Sequence, residues 1–137
     1  MTIELVPLCT VDVSLREPII VGAGPAGTRV IGEVESATLR GDRLSGSMLG
    51  QAAADWLVVN GTVGIVDVRV AFRTDDGAAV FAQYRGRLDL ATGDQVVYVA
   101  PTFETGDDRY AWLNTVQAVG KGKLDGQHIT YEWYEVR

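Results

Sequence analysis

At 137 residues the chain is long enough for one ordinary domain and short for two, so residues 1–137 are expected to form a single unit. Hydrophobic residues make up 47% and charged residues 22%, which excludes wholesale disorder, and 16 glycines against 4 prolines point to many tight turns. A net charge of −6 opposes binding to nucleic acid and to anionic membranes, both of which select basic surfaces.

In chain order, residues 5–13 and 19–21 are weak strand candidates. The run Ile19-Ile20-Val21-Gly22-Ala23-Gly24-Pro25-Ala26-Gly27 has the spelling of a dinucleotide-binding fingerprint, whose glycines open a helix that holds a pyrophosphate. The next residues, Thr28-Arg29-Val30-Ile31-Gly32-Glu33-Val34, alternate and are rich in β-branched side chains. They predict a strand, and the glycines then read as a turn between strands. Residues 28–39 and 43–48 are further strand candidates. Only residues 48–57 have a helical composition, with Gly50 against it.

Residues 63–73 alternate most clearly, with Val66, Val68, Val70 and Phe72 on one face and Asp67, Arg69 and Arg73 on the other. Asp75-Asp76-Gly77 is a hairpin turn signal, and residues 78–85 read as the return strand. Asn60-Gly61, Thr92-Gly93-Asp94 and Asp125-Gly126 are turns of the same chemistry, and residues 95–103, 110–119 and 129–136 are β-rich runs. Roughly eight to ten short strands with turns every 8–12 residues predict an all-β sandwich or barrel. A single closed antiparallel β-barrel with at most one or two short helices is preferred, because closure removes exposed edges. Arg40-Gly41-Asp42 and Asn60-Gly61-Thr62 spell adhesion and glycosylation motifs, but both read as turns here.

Cys9 and His128 are the only residues of their kinds. That excludes an internal disulfide and a zinc site of the usual Cys/His type and disfavours a His-based triad, and Cys9 is expected to fill a core position. No metal and no cofactor are expected. No apolar run approaches the roughly 20 residues of a membrane span, and residues 1–5 carry no basic region or signal core, so a cytoplasmic protein without a membrane partner is expected.

The polar residues collect in three stretches. If Tyr110 opens a strand, Tyr110, Trp112 and Asn114 share a face, and two aromatics with one amide suit a binding pocket. The same side chains also suit a plain core with satisfied polar tips. Arg69 lies mid-strand: facing outward it is a solvated charge, and facing inward it needs a carboxylate, with Asp67 or Asp55 as candidates. Asp55 and Trp56 form the third stretch, and Glu104 with Asp107 and Asp108 either caps a loop or lines a barrel mouth.

Together these stretches resemble the DUF3237 (UPF0311) family of bacterial and fungal proteins. The resemblance is carried by Val21-Gly22 with Gly27-Thr28-Arg29, by Leu39-Arg40-Gly41-Asp42-Arg43-Leu44-Ser45-Gly46, and by Ala54-Asp55-Trp56. It is sharpest in Val68-Arg69 with Arg73-Thr74-Asp75-Asp76-Gly77, and in Phe103-Glu104-Thr105-Gly106 with Arg109-Tyr110-Ala111-Trp112-Leu113-Asn114. It implies an up-and-down, lipocalin-like antiparallel β-barrel and leaves the activity open.

Two functions fit these residues. One is a cofactor-independent lyase, isomerase or cyclase working by proton transfer in the barrel. Asp55 is then acid or base, Arg69, Tyr110 or Asn114 the donor to a developing oxyanion, and Trp56 and Trp112 the apolar walls, with Glu104 as the reserve carboxylate. The other is a non-catalytic carrier or sensor of a small hydrophobic or aromatic molecule, for which the same barrel serves. A third and plainer option is a β-protein whose polar cluster only fixes the fold. The expected partner is a small hydrophobic or aromatic molecule, with a carbonyl or acidic group if Arg69 anchors it, and a homo-oligomer is compatible.

Overall fold

The computed structural model describes residues Met1–Arg137. It holds eleven strands: β1 (Leu5–Leu15), β2 (Ile19–Gly24), β3 (Gly27–Arg40), β4 (Gly46–Met48), β5 (Ala54–Asn60), β6 (Val63–Thr74), β7 (Ala79–Asp89), β8 (Val96–Val99), β9 (Thr102–Glu104), β10 (Ala118–Asp125) and β11 (His128–Val136). A single 3-10 helix spans Asp108–Thr115. Strands take up 64% of the residues in a closed, antiparallel eight-stranded barrel, as the alternation predicts. From β1 the sheet runs through β3, β5, β6, β7, β8, β10 and β11 and returns to β1. The short strands β4 and β9 fill in beside β6 and β7, and β2 pairs only with β3. No helix is long and apolar enough to cross a membrane.

The core obeys the period of two. Val66, Val68 and Phe72 of β6 are buried, as are Val80, Ala82 and Tyr84 of β7 and Ile129, Tyr131 and Trp133 of β11. Three of these rings form the waist of the barrel. Tyr84 stands edge-on to Tyr131 and Trp133, with centroids 5.9 and 5.5 Å away, and Phe103 lies 5.8 Å from Trp133. Room for them comes from β10, whose inward positions opposite these rings are glycines. A Cβ on Gly122 would sit 2.4 Å from Tyr131 Cδ1, and one on Gly120 would sit 2.5 Å from Trp133 Cδ1. Gly122→Ala therefore overpacks the waist and is expected to lower stability by about 1–3 kcal/mol in urea titration.

The glycine-rich run is the β2–β3 hairpin, as its flanking alternation predicts. Gly27 closes it at φ +125°, where a Cβ would also strike Asn60 Oδ1 at 2.5 Å. Cys9 is buried in the core, and burial pushes its thiol up to about 12, far from a reactive thiolate.

Three expectations are corrected. Residues 48–57 form no helix: Gly50 turns at φ +69°, and Ala54 to Val59 pair with β3 over Thr28–Glu33. Pairing to two neighbouring strands outweighs the helical propensity of three alanines. Residues 95–103 are two strands rather than one, parted at Ala100-Pro101. Residues 110–115 lie in the 3-10 helix, and the strand begins only at Ala118.

Candidate functional site

The 3-10 helix has local causes that override its alternation. Asp107 caps it, its carboxylate accepting from the Arg109 backbone N–H at 2.9 Å. The Arg109 side chain returns to the same carboxylate from Nε at 3.0 Å and Nη2 at 2.8 Å, which holds Asp107 down to about 2. The Asn114 amide closes the segment on Thr105, accepting from its N–H at 2.8 Å and donating to its carbonyl at 3.0 Å. The Tyr110 hydroxyl donates to Asp76 Oδ1 at 2.8 Å, and Arg109 Nη1 donates to the Asp76 carbonyl at 2.9 Å. Thr74 donates to the same Asp76 oxygen at 2.6 Å, and these hydroxyls lower the Asp76 carboxyl. The two most distinctive sequence blocks thus grip one another. They form a clasp at the end of the barrel where β6 stops and β7 starts, and Leu113, fully buried, plugs that end.

Six predicted site residues are placed without a common pocket. Tyr110 and Asn114 hold the clasp, and Trp112 lies under the Arg43 guanidinium, 5.2 Å from its ring centre. Glu104 is exposed and, with Asn114 and Phe81, borders a wide, shallow depression of the outer surface. Arg69 is exposed on the outer face of β6, because Val68 and Val70 take the inward parity. It shares an external groove with Asp67, Gln83 and Arg85 and does not face the interior. Trp56 is 47% exposed for the same reason: its neighbour Asp55 has the inward position.

Asp55 is the predicted residue that reaches an enclosed space. At the end of the barrel opposite the clasp, a cavity of about 230 Å³ lies among Leu15, Val30, Leu57, Val66, Leu88 and Ile129. Tyr131 also lines it, and Gly32, directly across from Asp55 in the β3–β5 ladder, leaves it open. The ladder between β5 and β6 pairs Asp55 with Val68 and resumes at Val58 with Ile65, skipping Trp56 and Leu57. In the gap the Asp67 N–H donates to Asp55 Oδ1 at 3.0 Å, and the Trp56 carbonyl accepts from Arg29 Nη1 at 2.6 Å. A side-chain carboxylate thus replaces a strand acceptor and brings a charge to an aliphatic wall.

Burial pushes the Asp55 carboxyl up to about 6, assisted by the charge of Asp67 and opposed by the Asp67 N–H. Burial also raises the Tyr131 phenol, with the Asp55 charge as the next cause, so Tyr131 remains an O–H donor at neutral pH. Sequence reasoning passed over Tyr131, although the parity of Ile129, Tyr131 and Trp133 marks all three as inward. The shallow depression beside Glu104 is larger, about 620 Å³, but open to solvent. The smaller cavity is the better candidate, because low-dielectric walls give its one carboxylate an altered acidity. No three His, Cys, Asp or Glu side chains are grouped to hold a metal ion.

The molecule is therefore a closed eight-stranded antiparallel barrel with an apolar cavity at one end and a polar clasp at the other. The chain belongs to the family described as protein of unknown function DUF3237, whose profile matches residues 3–136. It is 24% identical to a UPF0311 protein of Rhodopseudomonas palustris over 98% of this chain and 97% of that one. Among solved structures, a β-barrel-like protein from Acinetobacter baumannii AYE superposes with a TM-score of 0.90 at 30% identity, covering 100% of this chain and 98% of the other. An enzyme from Penicillium herquei shares the fold at a TM-score of 0.72 and 19% identity, over 98% and 93% of the two chains.

Proposed function

We propose that the barrel cavity binds a small apolar carbonyl compound and that Asp55 moves a proton on it, making the protein a cofactor-independent enzyme of the isomerase or lyase type. The observation that carries this reading is a lone carboxylate on an aliphatic cavity wall, with its acidity shifted to about 6. A base poised there is mostly ionised at neutral pH and is also acidic enough to return the proton. In the step, the Asp55 carboxylate takes a proton from the carbon beside the carbonyl. The C–H electron pair becomes the new C=C bond, and the carbonyl oxygen takes up the negative charge, to which the Tyr131 hydroxyl donates. Return of the proton to the same carbon gives exchange, and return to a conjugated carbon gives isomerisation. The carbonyl and the proton relay are the whole chemistry, so no electron acceptor is needed.

The test is hydrogen–deuterium exchange at the α-carbon of a small aryl ketone such as phenylacetone in D2O, monitored by NMR. The wild-type protein is expected to accelerate exchange, with a rate that rises with pH to a plateau above about 6, as the carboxylate form is the base. Asp55→Asn is expected to lose at least 100-fold in rate while still binding the ketone, since the amide keeps size and hydrogen-bonding reach but exchanges no proton. Binding without exchange in the wild type would instead support a carrier.

A further inference from the structure

The cavity has a second charged lining residue at its rim. Arg16 lies on the short link between β1 and β2 and lines the cavity with Gln127. The link is anchored on both sides. The Arg16 N–H donates to the Glu33 carbonyl at 2.9 Å, and the Leu15 N–H donates to the Gln127 carbonyl at 2.7 Å. The Arg16 side chain is exposed and enters no ion pair, and among the six arginines without one it alone lines the cavity. Glu17 and Glu33 are exposed beside the link, and neither pairs with it. A free cation at the rim, a carboxylate on the inner wall and aliphatic side chains around them give the cavity an electrical direction.

We propose that the cavity takes a small monocarboxylic acid end-on, with the acid's carboxylate on the Arg16 guanidinium and its apolar body inside against Leu57, Val66 and Ile129. This rests on the cavity being the ligand site and names the substrate class. The planar guanidinium fork matches a carboxylate through two parallel hydrogen bonds. The Asp55 carboxylate repels a second anion from the inner end, so the reversed orientation is disfavoured. The size also fits: a cavity of about 150 Å³ holds benzene, and this one measures about 230 Å³. The bond delivered to Asp55 then belongs to the body of the acid, which in a substrate carries the reacting carbonyl, and not to its head. Arg16 takes the anchoring role that the sequence suggested for Arg69.

The experiment is titration calorimetry at pH 7 with 3-phenylpropanoate and its methyl ester, on the wild-type protein and on Arg16→Met. The wild type is expected to bind the acid at least tenfold more tightly than the ester. Arg16→Met is expected to erase that preference by weakening the acid alone. Arg16 is exposed, so the variant should keep its fold, and an unchanged ester affinity checks this within the same titration. An ester that binds the wild type as tightly as the acid, or a preference that survives in Arg16→Met, overturns the proposal. Failure of both probes to bind the wild type overturns the cavity as a ligand site and this proposal with it. A wild type that prefers the acid but exchanges no proton on any bound compound supports the recognition and removes only the catalytic reading.

Discussion

Replacing Asp55 with asparagine is expected to make the protein more stable above pH 6. A carboxyl of pKa 3.8 in the unfolded chain and about 6 in the fold binds more protons when folded. Folding stability therefore falls as pH rises between those values. Below pH 3.8 the residue is neutral in both states and adds no penalty. Above 6 the full penalty is present, at most about 3 kcal/mol for a shift of this size. Asparagine is never charged, and its Oδ1 still accepts from the Asp67 N–H that Asp55 now satisfies. Thermal unfolding of the two proteins is expected to coincide near pH 4 and to separate at pH 8, the variant melting higher by roughly 5–10 °C. A variant that melts lower at pH 8 would mean that the charged carboxylate supports the interrupted β5–β6 ladder. Retaining a residue that costs stability is what a working acid or base at this position requires.

The opposite end of the barrel gives the second large effect. Leu113 is fully buried and is the one buried residue of the 3-10 helix. Leu113→Ala removes the plug and leaves a hole in a clasp otherwise held by polar contacts, at an expected cost of about 2–5 kcal/mol in urea or thermal unfolding. Because Leu113 and the cavity lie at opposite ends, ligand affinity at saturating folded protein should not change. A loss below about 0.5 kcal/mol would show that the clasp holds its shape through the Asp76, Asp107 and Asn114 hydrogen bonds alone.

Residues 63–73 and 129–136 were readable as strands because alternation and turn chemistry agree there, and each face lies between core and solvent. The number of such strands pointed to the barrel. The 3-10 helix was not readable. Tyr110, Trp112 and Asn114 alternate like a strand, and what prevents one is a set of contacts from Thr105 and Asp76, which periodicity does not register. The same blindness affected the site. Sequence reasoning gathered Arg69, Tyr110, Trp112 and Asn114 because polar and aromatic residues cluster in those blocks, whereas Tyr110 ties one block to the other through Asp76, Asn114 closes its own segment on Thr105, Trp112 lies under Arg43, and Arg69 faces outward. Asp55 was legible as a carboxylate beside aromatics, but its inward direction depends on the pairing of Asp55 with Gly32 across two strands. Arg16 carries no local pattern at all; only the closed barrel puts it at a rim.

The seam of the barrel bears on how the protein is made. β11 pairs with β1 from Leu5↔Val136 to Ser14↔His128, and Glu4 and Arg137 exchange backbone hydrogen bonds of 2.7 and 2.9 Å beyond it. β11 also brings Tyr131 and Trp133 to the waist. During synthesis the ribosome emits residues in order at about 5–20 per second. The earlier strands therefore wait, with their inner faces uncovered and two sheet edges open, until β11 leaves the exit tunnel. Contacts this distant in sequence are slow to form, so the vulnerable period of this chain is set by its last strand. A codon change that slows translation just before residue 128 should prolong that interval and increase aggregation.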